Sequence, residues 1–109
     1  MVEIRYYVDQ EGRAPFAEWT KDLDDIAAYK VAGALRRMAA GNFSNVKGVG
    51  AGVLEFCIDF GPGYRIYFGR DGDTLVVLLT GGTKKRQQRD ILDARDFWHD
   101  YKQNKRERR

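Results

Sequence analysis

Two groups of residues in this 109-residue chain could do chemistry, and both are cationic. The first is Lys84-Lys85-Arg86, directly after Gly81-Gly82-Thr83. The spacing predicts a helix from about 84 to 104 with Thr83 as its N-cap, so three cations stand where a helix dipole favours anions. Each such cation costs about 0.3–1 kcal/mol when exposed, and no acid offsets them before Asp90. Breaking a local rule in this way is a mark of function, and free N–H groups, a dipole and three cations make an anion site suited to phosphate. The alternative is a solvated basic helix start. The second is Arg65, on a predicted strand where Tyr64, Ile66 and Phe68 face the core and Arg65 and Tyr67 face the other way. If the Gly61-Pro62-Gly63 turn closes symmetrically, Asp59 falls opposite Arg65 and Cys57 opposite Tyr67. Arg65 is then either half of a cross-strand ion pair or a forked phosphate ligand on a rigid strand. Glu55 shares that open face, as a general base or as a charge partner. Cys57 has no histidine near it in sequence to activate it, and His99, beside Trp98 and Asp100, reads as a surface residue.

Placing these residues requires a small set of elements. Val2, Ile4 and Tyr6 alternate with Glu3, Arg5 and Tyr7 as a first strand. Pro15 suits the first position of a helix carrying Phe16, Trp19 and Leu23. A second helix spans about 24–40, with Ala27, Val31, Ala34, Leu35 and Met38 on one face, and Gly41-Asn42 stops it. Residues 43–52, with three glycines, read as a loop. Three antiparallel strands follow, over 54–60, 64–68 and 75–79, joined by Gly61-Pro62-Gly63 and Asp71-Gly72-Asp73. Leu75–Leu79 is aliphatic throughout, as expected of a strand buried on both faces. The last helix carries Ile91, Ala94, Trp98 and Tyr101. The expected fold is a single α+β domain over 1–109: N-terminal strand, two helices, three-stranded antiparallel meander, C-terminal helix.

Composition narrows the function classes. A chain of this length buries about 65% of its unfolded surface and needs no metal or disulfide to hold a core. One cysteine and one histidine exclude a disulfide and a Cys/His zinc cluster. No apolar run approaches the ~20 residues of a membrane span, and the N-terminus lacks a signal-peptide core, so a cytoplasmic location is expected. Net charge is +3, and the surplus is local: residues 1–54 hold seven bases and seven acids, residues 55–109 twelve and nine. Lys84, Lys85, Arg86 and Arg89 form one cluster; Lys102, Lys105, Arg106, Arg108 and Arg109 form another. A local basic patch points to an anionic partner.

Gly61-Pro62-Gly63-Tyr64-Arg65-Ile66-Tyr67-Phe68, then Leu78-Leu79-Thr80-Gly81-Gly82-Thr83-Lys84, then Gln88, Asp90-Ile91, Ala94 and Trp98, together resemble the HigB-type addiction-module killer proteins of the RelE/ParE toxin superfamily. The resemblance runs from the Phe16–Trp19 helix to Tyr101. It implies the toxin of a type II toxin–antitoxin pair, cutting mRNA on the ribosome with no metal or other cofactor. The ribose 2′-OH would attack the adjacent phosphate while basic side chains stabilise the transition state. On that resemblance Arg65, Lys84, Lys85 and Glu55 form the catalytic set, and Lys47, Tyr67, Arg86, Gln88 and Arg89 contact RNA. The implied partners are the ribosome, mRNA and a helix-turn-helix antitoxin in a hetero-oligomer, with Tyr7 and Tyr67 as aromatic rims of the antitoxin surface. Two positions depart from the pattern. Ile91 lies near the place of a helix tyrosine found in some relatives, and Cys57 stands where an arginine is usual. The ParE side of the superfamily implies a different activity for the same fold, a non-catalytic poison of DNA gyrase or another protein target.

Overall fold

The computed structural model describes residues 1–107 and gives an α+β fold: one five-stranded mixed sheet with three helices. The elements are β1 (Glu3–Tyr6), α1 (Pro15–Lys21), α2 (Asp25–Ala39), β2 (Val46–Gly48), β3 (Leu54–Ile58), β4 (Tyr64–Asp71), β5 (Leu75–Thr83), a 3-10 turn (Lys84–Arg86) and α3 (Gln87–Glu107). The sheet order is β1-β5-β4-β3-β2; β1 runs parallel to β5 and every other pair is antiparallel. Arg108 and Arg109 of the basic tail lie outside the described residues.

Residue chemistry accounts for most boundaries. Pro15 opens α1. The Asp24 carboxylate caps α2 by accepting the Ala27 N–H at 2.8 Å. Gly41, at φ +87°, carries the chain out of α2 and donates its N–H to Met38 O at 2.9 Å. The fifth strand is a correction: β2 lies inside the segment expected to be a loop. Three residues are too few to show an alternation, and β2 pairs on one side only, with β3.

The helices divide between the two faces of the sheet. Phe16 of α1 and Ala27, Val31, Ala34 and Met38 of α2 pack with Phe56, Ile58, Tyr64, Ile66, Phe68, Val76 and Leu78. On the other face, Ala94 and Trp98 of α3 pack with Tyr7, Val53, Tyr67, Val77 and Leu79. The aliphatic β5 run thus feeds both cores alternately. The expectation that Arg65, Tyr67 and Glu55 lie on an open face is therefore corrected: α3 covers that face. Tyr7 and Tyr67 are no surface rims either, being 4% and 0% exposed.

Gly81 and Gly82 permit this close double packing. A Cβ at Gly81 would stand 2.1 Å from the Trp19 ring of α1, and one at Gly82 would stand 1.9 Å from the Asp90 carboxylate of α3. No side chain larger than hydrogen fits between strand and helix at either position.

Candidate functional site

The site is built where α3 begins against β3 and β4. The observed register sets Cys57 opposite Arg65 and Glu55 opposite Tyr67. This corrects the expected Asp59–Arg65 pairing, because the strands end at Ile58 and Tyr64 and the linking segment of five residues leaves Asp59 exposed in the turn. The register also brings Lys47 of β2 opposite Glu55, and Gly82 of β5 opposite Arg65.

Glu55 is the hub. It is fully buried, and its two carboxylate oxygens have different partners. Oε1 accepts from the Cys57 thiol at 3.3 Å and faces Lys47 Nζ at 3.5 Å and Arg65 Nε at 3.6 Å. Oε2 accepts from Gln87 Nε2 at 2.9 Å, which ties the first residue of α3 to β3. Burial raises the pKa of this carboxyl, but donation from Gln87 and Cys57, the Tyr67 hydroxyl beside it and the Lys47 charge outweigh that and hold it below the ordinary carboxylate value. With no exposed surface, this carboxylate is placed to hold its charged neighbours. Glu55 stands against Arg65 and Lys47, as the charge-partner alternative of the sequence reading has it. Burial, then the bond to Glu55, pushes the Cys57 thiol up, so it stays protonated at neutral pH and is a poor nucleophile.

The cations over this hub differ in freedom. The Arg65 side chain is only 14% exposed, and its Nη1 donates to Gly63 O at 3.3 Å. The Lys47 side chain is 61% exposed. Lys84, Lys85 and Arg86 are exposed on the 3-10 turn. Here the expected helix start is corrected. The Lys84 N–H is not free; it donates to Gly63 O at 3.0 Å, and the Thr83 side chain caps nothing. The turn is latched to the sheet before α3 begins, so any anion there is held by side chains. Gln88 and Arg89 are exposed, and Arg89 Nε lies 3.5 Å from Asp93 Oδ1 one turn along α3. Tyr67 lies beneath these groups, beside Glu55. Its hydroxyl makes no hydrogen bond of good geometry, and burial, then the Glu55 carboxylate, holds its pKa far above the ordinary phenol value. Tyr67 cannot touch RNA from there.

The sequence reading missed Gln87 and Asp90. Gln87 was legible only as the residue after three cations. Asp90 is 8% exposed, its Oδ2 has no partner, and burial, opposed by the Arg86 charge, raises its pKa. Among the described residues, no group of three metal-ligating side chains stands together, and no helix is long and apolar enough to cross a membrane.

No family model matches the chain. A Haemophilus influenzae protein described as uncharacterized is 38% identical over 81 residues, covering 73% of this chain and 82% of that protein. The chain belongs to that protein's family. The relative's description assigns it no activity, so function is argued from the site.

Proposed function

We propose that this protein is the toxin of a type II toxin–antitoxin pair and acts as a ribosome-dependent mRNA endoribonuclease of the RelE/ParE kind. The observation that carries this reading is that the Gly63 carbonyl accepts both the Arg65 guanidinium and the Lys84 backbone N–H, which latches the exposed basic turn Lys84-Lys85-Arg86 to the strand that holds Arg65. A strand-held guanidinium, anchored by a buried carboxylate, is preorganised for the charge that develops on a phosphate as the ribose 2′-OH attacks it. The exposed lysines supply the looser, salt-dependent phosphate contacts that hold a polymer. The chemistry then rests on Arg65, Lys84 and Lys85. Lys47 and Arg86 flank the RNA with Gln88 and Arg89, Glu55 positions Arg65, and a helix-turn-helix antitoxin holds the activity in check.

The test is to induce the protein in cells and map the 5′ ends of mRNA. New ends phased to codons are expected, with loss of both ends and growth arrest in Lys84→Glu/Lys85→Glu. Intact mRNA accompanied by gyrase-linked DNA breaks overturns the nuclease reading in favour of a protein-target poison. A double variant as toxic as the parent overturns the assignment of the basic turn. Arg65→Ala is expected to abolish cleavage and to lower stability as well, since it leaves Glu55 short of a partner.

A further inference from the structure

The cations that face the Glu55 carboxylate do not set its orientation. Arg65 Nε lies 3.6 Å from Oε1 and makes no hydrogen bond, and Lys47 Nζ stands 3.5 Å away on a largely exposed side chain. Two hydrogen bonds fix the carboxylate. The Cys57 thiol, a weak donor, reaches Oε1 at 3.3 Å, and the Gln87 amide reaches Oε2 at 2.9 Å. The stronger of the two therefore comes from α3. Gln87 also ends the basic turn. The turn has no side-chain cap at Thr83; the Lys84 N–H on Gly63 O, at 3.0 Å, holds its start, and Gln87 on Glu55 holds its end. The first clamp is backbone, and the second rests on one side chain.

We infer that Gln87 is a positioning residue: through its hydrogen bond it fixes the buried Glu55 carboxylate against Arg65 and pins the Lys84-Lys85-Arg86 turn to β3. This rests on the proposed nuclease reading and adds to it a residue that acts through another. Loss of the amide leaves every cation of the site in the chain, so the salt-dependent hold on RNA remains. Alignment is what goes, and alignment enters the rate at saturation rather than the concentration needed to reach it. Charge requires an amide here as well as reach. Leucine would leave Oε2 without its donor where the carboxylate has no exposed surface, and an ionised carboxyl would set like charges together. The other titratable and charged groups facing Glu55 are Lys47 of β2, Cys57 of β3, and Arg65 and Tyr67 of β4; Asp90 of α3 acts on Tyr67, and the Arg86 charge acts on Asp90.

The test uses ribosomes programmed with a defined mRNA and an excess of the full chain, with the single-turnover cleavage rate followed against protein concentration between about pH 6 and 8. Gln87→Leu is expected to lower the saturated rate by about 10–100-fold and to move the half-saturating concentration by less than about threefold. Gln87→Glu adds a pH signature. Protonated, the introduced carboxyl donates to Glu55 as the amide does; ionised, it repels it, and two carboxyls sharing a site have one pKa raised. The ratio of the Gln87→Glu rate to the parent's should fall as pH rises, while the ratio for Gln87→Leu stays flat. Tyr101→Phe, which removes a bond that ties the far end of α3 to Asp71, should cleave at the parental rate. Gln87→Leu cleaving at the parental saturated rate overturns the inference, and so does a Gln87→Glu rate that tracks the parent's at every pH. Equal slowing by Gln87→Leu and Tyr101→Phe assigns Gln87 to stability alone and overturns it too. If Gln87→Leu does not fold, the Gln87→Glu profile decides by itself. In each of these outcomes cleavage by the parent leaves the nuclease reading standing. A parent that cuts no mRNA on ribosomes overturns that reading and the role of Gln87 together.

Discussion

The two ends of α3 handle buried polar groups in opposite ways. At its C-terminal end the hydroxyl of Tyr101 donates to Asp71 Oδ2 at 2.8 Å, Lys105 Nζ reaches the same carboxylate at 2.6 Å, and the Tyr7 hydroxyl donates to Asp100 Oδ2 at 2.6 Å. At its N-terminal end, Arg65 Nε, Tyr67 Oη and Asp90 Oδ2 are buried without a hydrogen-bond partner. A fourth such atom, Arg70 Nε, belongs to a guanidinium stacked 4.3 Å from the Phe43 ring on the opposite side of the sheet. Leaving a polar group buried and unpaired costs about 1–3 kcal/mol, so the basic end is held at a cost the other end avoids. The C-terminal end is built for stability. The N-terminal end keeps an arginine against a buried carboxylate and leaves three polar atoms without a hydrogen-bond partner. The cavity of about 500 Å³ near Trp98 and Lys102 lies at the stable end, and its tyrosine and Lys105 are already paired.

The largest expected effect separates the two ends by their carboxylates. Glu55→Leu removes the sealed acid and strands Arg65, with an expected loss of about 3 kcal/mol in urea unfolding. Asp71→Ala, at the end where the Asp71 and Lys105 side chains are 22% and 47% exposed, should cost only about 1 kcal/mol. Equal losses would remove the distinction between a buried hub and a peripheral ion pair.

The tyrosines sharpen the comparison with smaller effects. Tyr101→Phe and Tyr7→Phe each delete a bonded hydroxyl and should cost about 0.5–1.5 kcal/mol. Tyr67→Phe deletes a hydroxyl without a partner and should be neutral or stabilising. A clear destabilisation by Tyr67→Phe would show that its contact with Glu55 is a working hydrogen bond. The Tyr101 phenol, pushed up to about 12 by burial and by its bond to Asp71, stays protonated throughout the useful pH range, so these three comparisons do not depend on pH near neutrality.

How much of this was legible in the sequence follows from the range of each interaction. The α2 face, the β5 run and the α3 stripe show as periodicity because each is set within a few residues. The short strand β2 does not, since its pairing with β3 is its whole definition. The basic residues were visible as a cluster, but the role of Glu55 was not. That role depends on a register in which the strands end two residues earlier than symmetric closure suggests, and on Gln87, 32 positions away. The same shortened strand put Phe60 outside the core. Asp90 was hidden for a related reason: only the absence of a side chain at Gly82 lets its carboxylate sink against the sheet.

Asp90 gives the smallest and most diagnostic effect. Burial raises its pKa above the ordinary 3.8, against the opposing Arg86 charge and with help from Asp93. A carboxyl raised in the folded state binds its proton more tightly there than in the unfolded chain. Its contribution to stability is complete below the unfolded value and is lost as pH rises through the folded one. At neutral pH the ionised Asp90 therefore works against folding, and Asp90→Asn should stabilise the protein by about 1 kcal/mol or less. The gain should shrink as pH falls towards 4, where the parent's carboxyl takes up its proton and the two side chains become equally neutral. Glu55 has the opposite sign: its pKa is depressed, so its contribution is present above the ordinary carboxylate value and fades as pH falls. Urea unfolding of parent and Asp90→Asn at pH 7, 5 and 4 reads the difference directly, with the Glu55 contribution common to both and cancelling. A gain for Asp90→Asn that stays constant across that range would mean that burial does not raise the carboxyl's pKa, and a loss at pH 7 would mean that the Asp90 carboxylate has a partner when ionised, which removes one of the three unpaired atoms from the basic end of α3.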